Sequence, residues 1–239
     1  MMDALILTVI LTSIPLILAA TGEIIAKRSG VLNLGVEGMI LMGAVAAFAI
    51  TSLSGNPYFG IIAAAAAGAM TAAIFAVFTL GLATNQVATG LALTIFGTGL
   101  SGLVGATFVG GTIDGLQAIS IPVLSDLPVL GGLLFQLDLL AYGAFVMLAL
   151  VAWFLNKSRA GLILRAVGNN HDSAHALGYS VLRVRCAAVI FGGLMAGLAG
   201  AYLPLVLTPH WSEGMTAGRG WIALALVVFA SWMPSRILI

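Results

Sequence analysis

The chain has almost no charge: 7% of its 239 residues are Asp, Glu, Lys or Arg, while 61% are hydrophobic. So few charged side chains cannot cover a soluble globule, which makes the chain an integral membrane protein. Nine basic residues against eight acidic ones give a net charge of +1, too little for a nucleic-acid surface. The single cysteine, Cys186, excludes an internal disulfide. Three histidines leave no Cys/His cluster, so no metal and no cofactor are expected. A G-x-x-x-x-G-K-[ST] loop, which would cradle nucleotide phosphates, is also missing.

What the chain does have is long apolar runs. A bilayer core of roughly 30 Å takes about 20 apolar residues per helix. That ruler predicts spans over residues 5–20, 31–53, 60–83, 87–109, 137–155, 186–207 and from 221 to the C-terminus. The expected fold is therefore an all-α polytopic bundle of about seven spans, a single transmembrane unit over residues 1–239. The first run is a retained span and not a signal peptide, because its basic pair, Lys27 and Arg28, follows it. Lys157, Arg159, Arg165, Arg183 and Arg185 mark residues 156–185 as a cytoplasmic connection. Counting back from it places the Lys27/Arg28 loop inside and the N-terminus outside, with Arg219 on the outer side.

The 110–136 connection holds Pro122, Pro128 and five glycines, so it reads as an outer cap or a re-entrant segment rather than a span. Small residues at Gly97, Ser101 and Gly105, and at Gly193 and Gly197, are spaced for close helix contact. Asn33 and Glu37, four apart, are expected on one helical face within two turns of the cytoplasmic end. Two readings of Glu37 stand: an anchor bonded to Lys27, Arg28 or a neighbouring helix, and a pathway residue facing the bundle interior. It is the one acid this reading places within a span. Between residues 160 and 181 come a glycine turn and then a short helix, capped by Asn170 or Asp172, running through Leu177 and stopped at Gly178. This element either fixes topology by charge or docks onto a partner.

The segments "GEIIAKRSGVLNLGVEGMILMGA", "NQVATGLALTIFGTGLSG", "GLILRAVGNNHDSAHALGYSV" and "GRGWIALALVVF" resemble, in that order, successive blocks of the inner-membrane permeases of ABC transporters. The resembled class imports simple sugars, nucleosides and branched-chain amino acids, and the wording is closest to nucleoside-type permeases. The resemblance implies a prokaryotic plasma-membrane importer subunit that pairs with a second permease, a cytoplasmic ATP-binding subunit and an extracytoplasmic substrate-binding protein. It makes residues 156–185 the coupling loop, with Arg165, Asn170, His171, Asp172, Ala174, His175 and Gly178 facing the ATPase. Two departures stand out: Asn169 replaces the family's usual acid, and His171 replaces a frequent proline. A neutral polar solute would suit a pathway supplied by Asn33, Glu37, Thr84, Asn85, Gln86 and Thr89.

An ion-coupled secondary transporter is the alternative; it would be expected to show mid-depth carboxylates in two related halves. An enzyme would need a catalytic set at depth, and His171, His175, His210, Asp114 and Asp126 form none by spacing. Permeases of the resembled family continue beyond "SWMPSRILI" with further spans, so the chain is expected to be incomplete at its C-terminus and to transport poorly in this form.

Overall fold

The computed structural model describes residues 2–119 and 136–237, with side chains from residue 5 onward. Most of the 110–136 connection therefore lies outside the described residues, as do Leu238 and Ile239. In chain order the helices are α1 (Met2–Arg28), α2 (Val36–Ser54), α3 (Pro57–Ala76, with a π turn Val77–Gly81), α4 (Gln86–Gly105), α5 (Leu139–Lys157), α6 (Arg159–Asn169), α7 (His171–Ala176), α8 (Val181–Tyr202, with a π turn Leu203–Leu207) and α9 (Arg219–Phe229). Among the described residues the one β-type pairing is an isolated bridge between Thr112 and His210.

Among the described residues six helices are long and apolar enough to cross a membrane: Leu5–Arg28, Val36–Ser54, Pro57–Gly81, Gln86–Phe108, Leu139–Lys157 and Val181–Leu207. The seventh expected span is corrected. Its 11 residues, Arg219–Phe229, rise about 16 Å, half of a bilayer core of roughly 30 Å. Ser231 and Trp232 then adopt left-handed backbone and end the helix, although the apolar composition continues. The connection after α5 is corrected as well: the expected glycine turn is a full amphipathic helix, α6, and α8 begins early enough to take in Arg183 and Arg185.

Small residues hold the centre together. α8 packs against α1, α2 and α3, and α2 packs against α3 and α4. A Cβ built on Gly43 would meet Gly197 Cα at 2.6 Å, and one on Gly68 would meet the same atom at 2.7 Å. The spacing at Gly193 and Gly197 therefore serves backbone-to-backbone approach, which is how helices associate where lipid removes the hydrophobic drive. Gly97 does the same for α4, where a Cβ would lie 2.6 Å from Gly38 Cα. α2 and α8 are the most enclosed of the six long helices and α4 the least.

One end of the bundle collects the basic residues. Arg185 Nε donates to Ser29 O at 3.1 Å, and Leu32 N donates to Gln86 Oε1 at 2.8 Å. The α1–α2, α3–α4 and α7–α8 connections thus share one face, as the charge pattern requires. At the opposite end Asp138 caps α5: its Oδ1 accepts from Ala141 N at 3.0 Å and its Oδ2 from Tyr202 Oη at 2.9 Å. Asp138 is buried, so losing that phenol should cost about 1.5–3 kcal/mol, the range for a hydrogen bond to a charged group. Tyr202→Phe should therefore lower the unfolding temperature of the detergent-purified protein; an unchanged transition would show that the pair adds nothing to stability.

Candidate translocation pathway and coupling surface

Glu37 sits where two helix N-termini meet. Residues 29–35 leave α1 through a left-handed Gly30 and run on without helix. There Asn33 Oδ1 accepts from Gly35 N at 3.0 Å, while Leu34 O accepts from Thr94 Oγ1 at 3.0 Å. Asn33 therefore precedes α2 and shares no helical face with Glu37, which corrects that expectation. The depth of Glu37 is about two helical turns from the basic end. α2 starts beside the middle of α4, with Gly38 against Leu93 and Gly97, about 10 Å along α4 from Gln86.

The partners of Glu37 come from the far end of the sequence. Its Oε1 accepts from Thr216 Oγ1 at 2.5 Å and Gly218 N at 3.0 Å, and its Oε2 from Gly220 N at 2.6 Å. Lys27 and Arg28 are not among its partners; Arg28 Nε donates instead to Trp232 O at 3.0 Å. Gly218, the residue before α9, has no capping side chain of its own, so Glu37 caps that helix from α2. The carboxylate also faces the positive ends of both α2 and α9. Only glycine fits at position 220, because a Cβ there would stand 2.6 Å from Glu37 Oε2. Arg219, expected on the outer side, adjoins this knot and donates to the carbonyls of Met215 and Thr216 at 3.1 Å each.

A second intramembrane acid was missed. Glu23 lies within α1, almost wholly buried, and among the described residues neither of its oxygens has a hydrogen-bond partner. Lys27 and the backbone amide of Asn33 act on it electrostatically. It borders a small cavity of about 160 Å³ together with Lys27, Leu34, Leu224 and Trp232. The signal that could have found it is the i, i+4 spacing to Lys27, with the apolar run carried on to the end of α1.

The remaining pathway candidates gather at the turn into α4 and not along the bundle. Thr84 and Thr89 hydroxyls lie 2.9 Å apart. Asn85 caps α4, accepting from Val87 N and Ala88 N, and Gln86 is bonded to Leu32 N. Gln86 borders a cavity of about 630 Å³ at the basic end, shared with Thr79, His175, Tyr179, Ser180 and Arg185. One pathway candidate, Gln86, and two coupling candidates, His175 and Gly178, thus border the same space. Asn33 and Glu37 do not.

The coupling candidates divide in two. Ser158 Oγ caps α6 by accepting from Gly161 N at 2.9 Å, and α6 buries Gly161, Leu164 and Val167. On the same helix Arg165 stands close enough to Arg28 to repel it, and its Nε is buried without an acceptor among the described residues. α7 is capped by Asn170, whose Oδ1 accepts from Ser173 N at 3.0 Å; Asp172 does not cap it. Ala174 turns inward, while His171, Asp172 and His175 are exposed. His171 Nε2 and Asp172 Oδ1 are 3.4 Å apart, an ion pair when the imidazole is protonated. Gly178 takes the left-handed conformation that ends the element.

A multi-pass helical bundle with a buried polar knot and a short exposed helix at its basic end is the build of a membrane transport subunit. Residues 5–239 match the family described as the permease component of the branched-chain amino acid transport system, and the chain belongs to that family. It is 43% identical to a candidate glucose ABC transporter permease protein of Haloferax volcanii, TsgC13, over 94% of this chain and 69% of that protein. It is 30% identical to the nucleoside ABC transporter permease protein NupC of Lactococcus lactis, over 98% of this chain and 77% of the relative. It is 31% identical to the guanosine ABC transporter permease protein NupQ of Bacillus subtilis, over 92% and 73%. The chain is an ABC importer permease in a family of transport subunits, not of enzymes.

Proposed function

We propose that the chain forms half of a pathway for a neutral, hydroxyl-rich solute, a simple sugar or a nucleoside, completed by a second permease and driven by a separate ATP-hydrolysing subunit. The observation that carries this reading is α7, a capped helix exposed beside the cavity that Gln86 and His175 share at the basic end. Motion of an ATPase bound there reaches the turn into α4 directly. In this reading residues 1–239 act as one permease domain, with 156–185 as its coupling element. The basic end faces the cytoplasm by the Lys/Arg rule, which puts the N-terminus outside. Substrate arrives from an extracytoplasmic binding protein, and the alternation between inward- and outward-open forms is a population shift driven by ATP. Relatives that handle glucose on one side and guanosine on the other set the substrates to try.

The ion-coupled alternative finds little support at Glu37, because both carboxylate oxygens already accept protein donors. Proteoliposomes carrying the permease with its partner subunits should accumulate labelled glucose or guanosine only with ATP inside and binding protein outside. Accumulation that proceeds without ATP and collapses with an ionophore would overturn the reading.

A further inference from the structure

Between α1, α5, α6 and α8 lies a groove of about 470 Å³, walled by Ile25, Met147, Phe154, Ile163, Val184 and Phe191, with scarcely a polar atom on its surface. Three of these four helices carry an exposed cation one turn beyond the apolar wall. On α5 Lys157 follows Phe154 by three residues; on α6 Arg159 precedes Ile163 by four; on α8 Arg183 precedes Ala187 by four. Those spacings put all three on the groove side of their helices. All three are exposed, and none forms an ion pair or side-chain hydrogen bond among the described residues.

The size of the groove limits its occupant. A flexible hydrocarbon chain fits such a slot, and three unpaired cations at its mouth call for a negative head. We propose that this groove binds one acyl chain of an anionic glycerophospholipid, with Lys157, Arg159 and Arg183 holding its phosphate. Basic residues at the mouth of an apolar cleft between spanning helices suit such a headgroup, while a zwitterionic lipid offers them no net charge. The site is separate from the Glu37 knot and from α7.

The test is retention of lipid by the purified protein in mild detergent, incubated with equal amounts of phosphatidylglycerol and phosphatidylcholine and weighed by native mass spectrometry. One phosphatidylglycerol per permease should be retained, at least tenfold over phosphatidylcholine. The combined variant Lys157→Gln, Arg159→Gln, Arg183→Gln should lose that preference. Ala187→Phe, at an exposed position on the groove wall, keeps the charges but fills the space, and should lose the bound lipid. Equal retention of the two lipids by the unaltered protein overturns the proposal, and so does an undiminished preference in the triple variant. Undiminished phosphatidylglycerol on Ala187→Phe would show that charge alone holds the head, which overturns the groove. Should the triple variant fail to assemble, Arg159→Gln alone, at the exposed start of α6, is expected to weaken the preference; no change overturns the headgroup assignment.

Discussion

Glu37→Gln should lower the amount of assembled complex several-fold while leaving uptake per assembled complex unchanged. The carboxylate serves three donors, Thr216 Oγ1, Gly218 N and Gly220 N, with two oxygens. An amide keeps the size but supplies one oxygen and one NH2. If that oxygen serves Gly220 N, the NH2 faces Thr216, whose hydroxyl can turn to accept, and Gly218 N, which cannot. A buried N–H left without an acceptor costs about 1–3 kcal/mol, and the remaining bonds lose their charge assistance. Every 1.4 kcal/mol is about a tenfold shift in equilibrium. The damage falls on the join between α2 and α9, because Glu37 caps α9 from a position some 180 residues earlier in the chain. Glu37→Ala, which removes all three acceptor interactions, should be worse. Yield by size-exclusion chromatography, measured beside ATP-driven uptake, separates the two roles. Full yield with lost uptake would make Glu37 a pathway residue and end the anchor reading.

The spanning helices were legible because each is an apolar run of bilayer length, and that depends on composition alone. Asn170 and Gly178 were legible too: a cap and a left-handed stop are local chemistry, and the structure uses both. What composition could not show was where helix stops inside an apolar stretch. Residues 31–35 look like span but are unwound, held by Asn33 on Gly35 N and by Thr94 on Leu34 O. That unwinding sets the depth of Glu37. Residues 230–233 look like span as well, yet Ser231 and Trp232 turn left-handed and stop α9 at half length. Glu23 was passed over because the first run was cut at Ala20 while the helix continues to Arg28. The partners of Glu37 and of Gln86 are distant in sequence, so no local pattern could name them. Local chemistry therefore gave the ends of α7, while the knot at Glu37 emerged only in three dimensions.

Ala174→Pro should abolish ATP-driven uptake with the permease present in the membrane at its normal level. Ala174 N donates to Asn170 O at 3.1 Å inside a helix of six residues. Proline removes that donor and also biases Ser173 away from helical backbone, at a cost of about 3 kcal/mol to an element with almost no other internal support. Ala174 is also buried, so the ring has to displace its neighbours. No spanning helix contains this residue, and insertion depends on the six long apolar helices. The loss should therefore appear in coupling: uptake at background, and ATP hydrolysis by the partner subunit no longer stimulated by loaded binding protein. Asp172→Asn is the companion variant. It leaves the Asn170 cap and the helix in place but removes the charge that faces His171 at 3.4 Å, so uptake should fall far less than in Ala174→Pro. If Ala174→Pro supports normal uptake while correctly inserted, α7 is not the coupling helix, and residues 156–185 do no more than set topology by their charge.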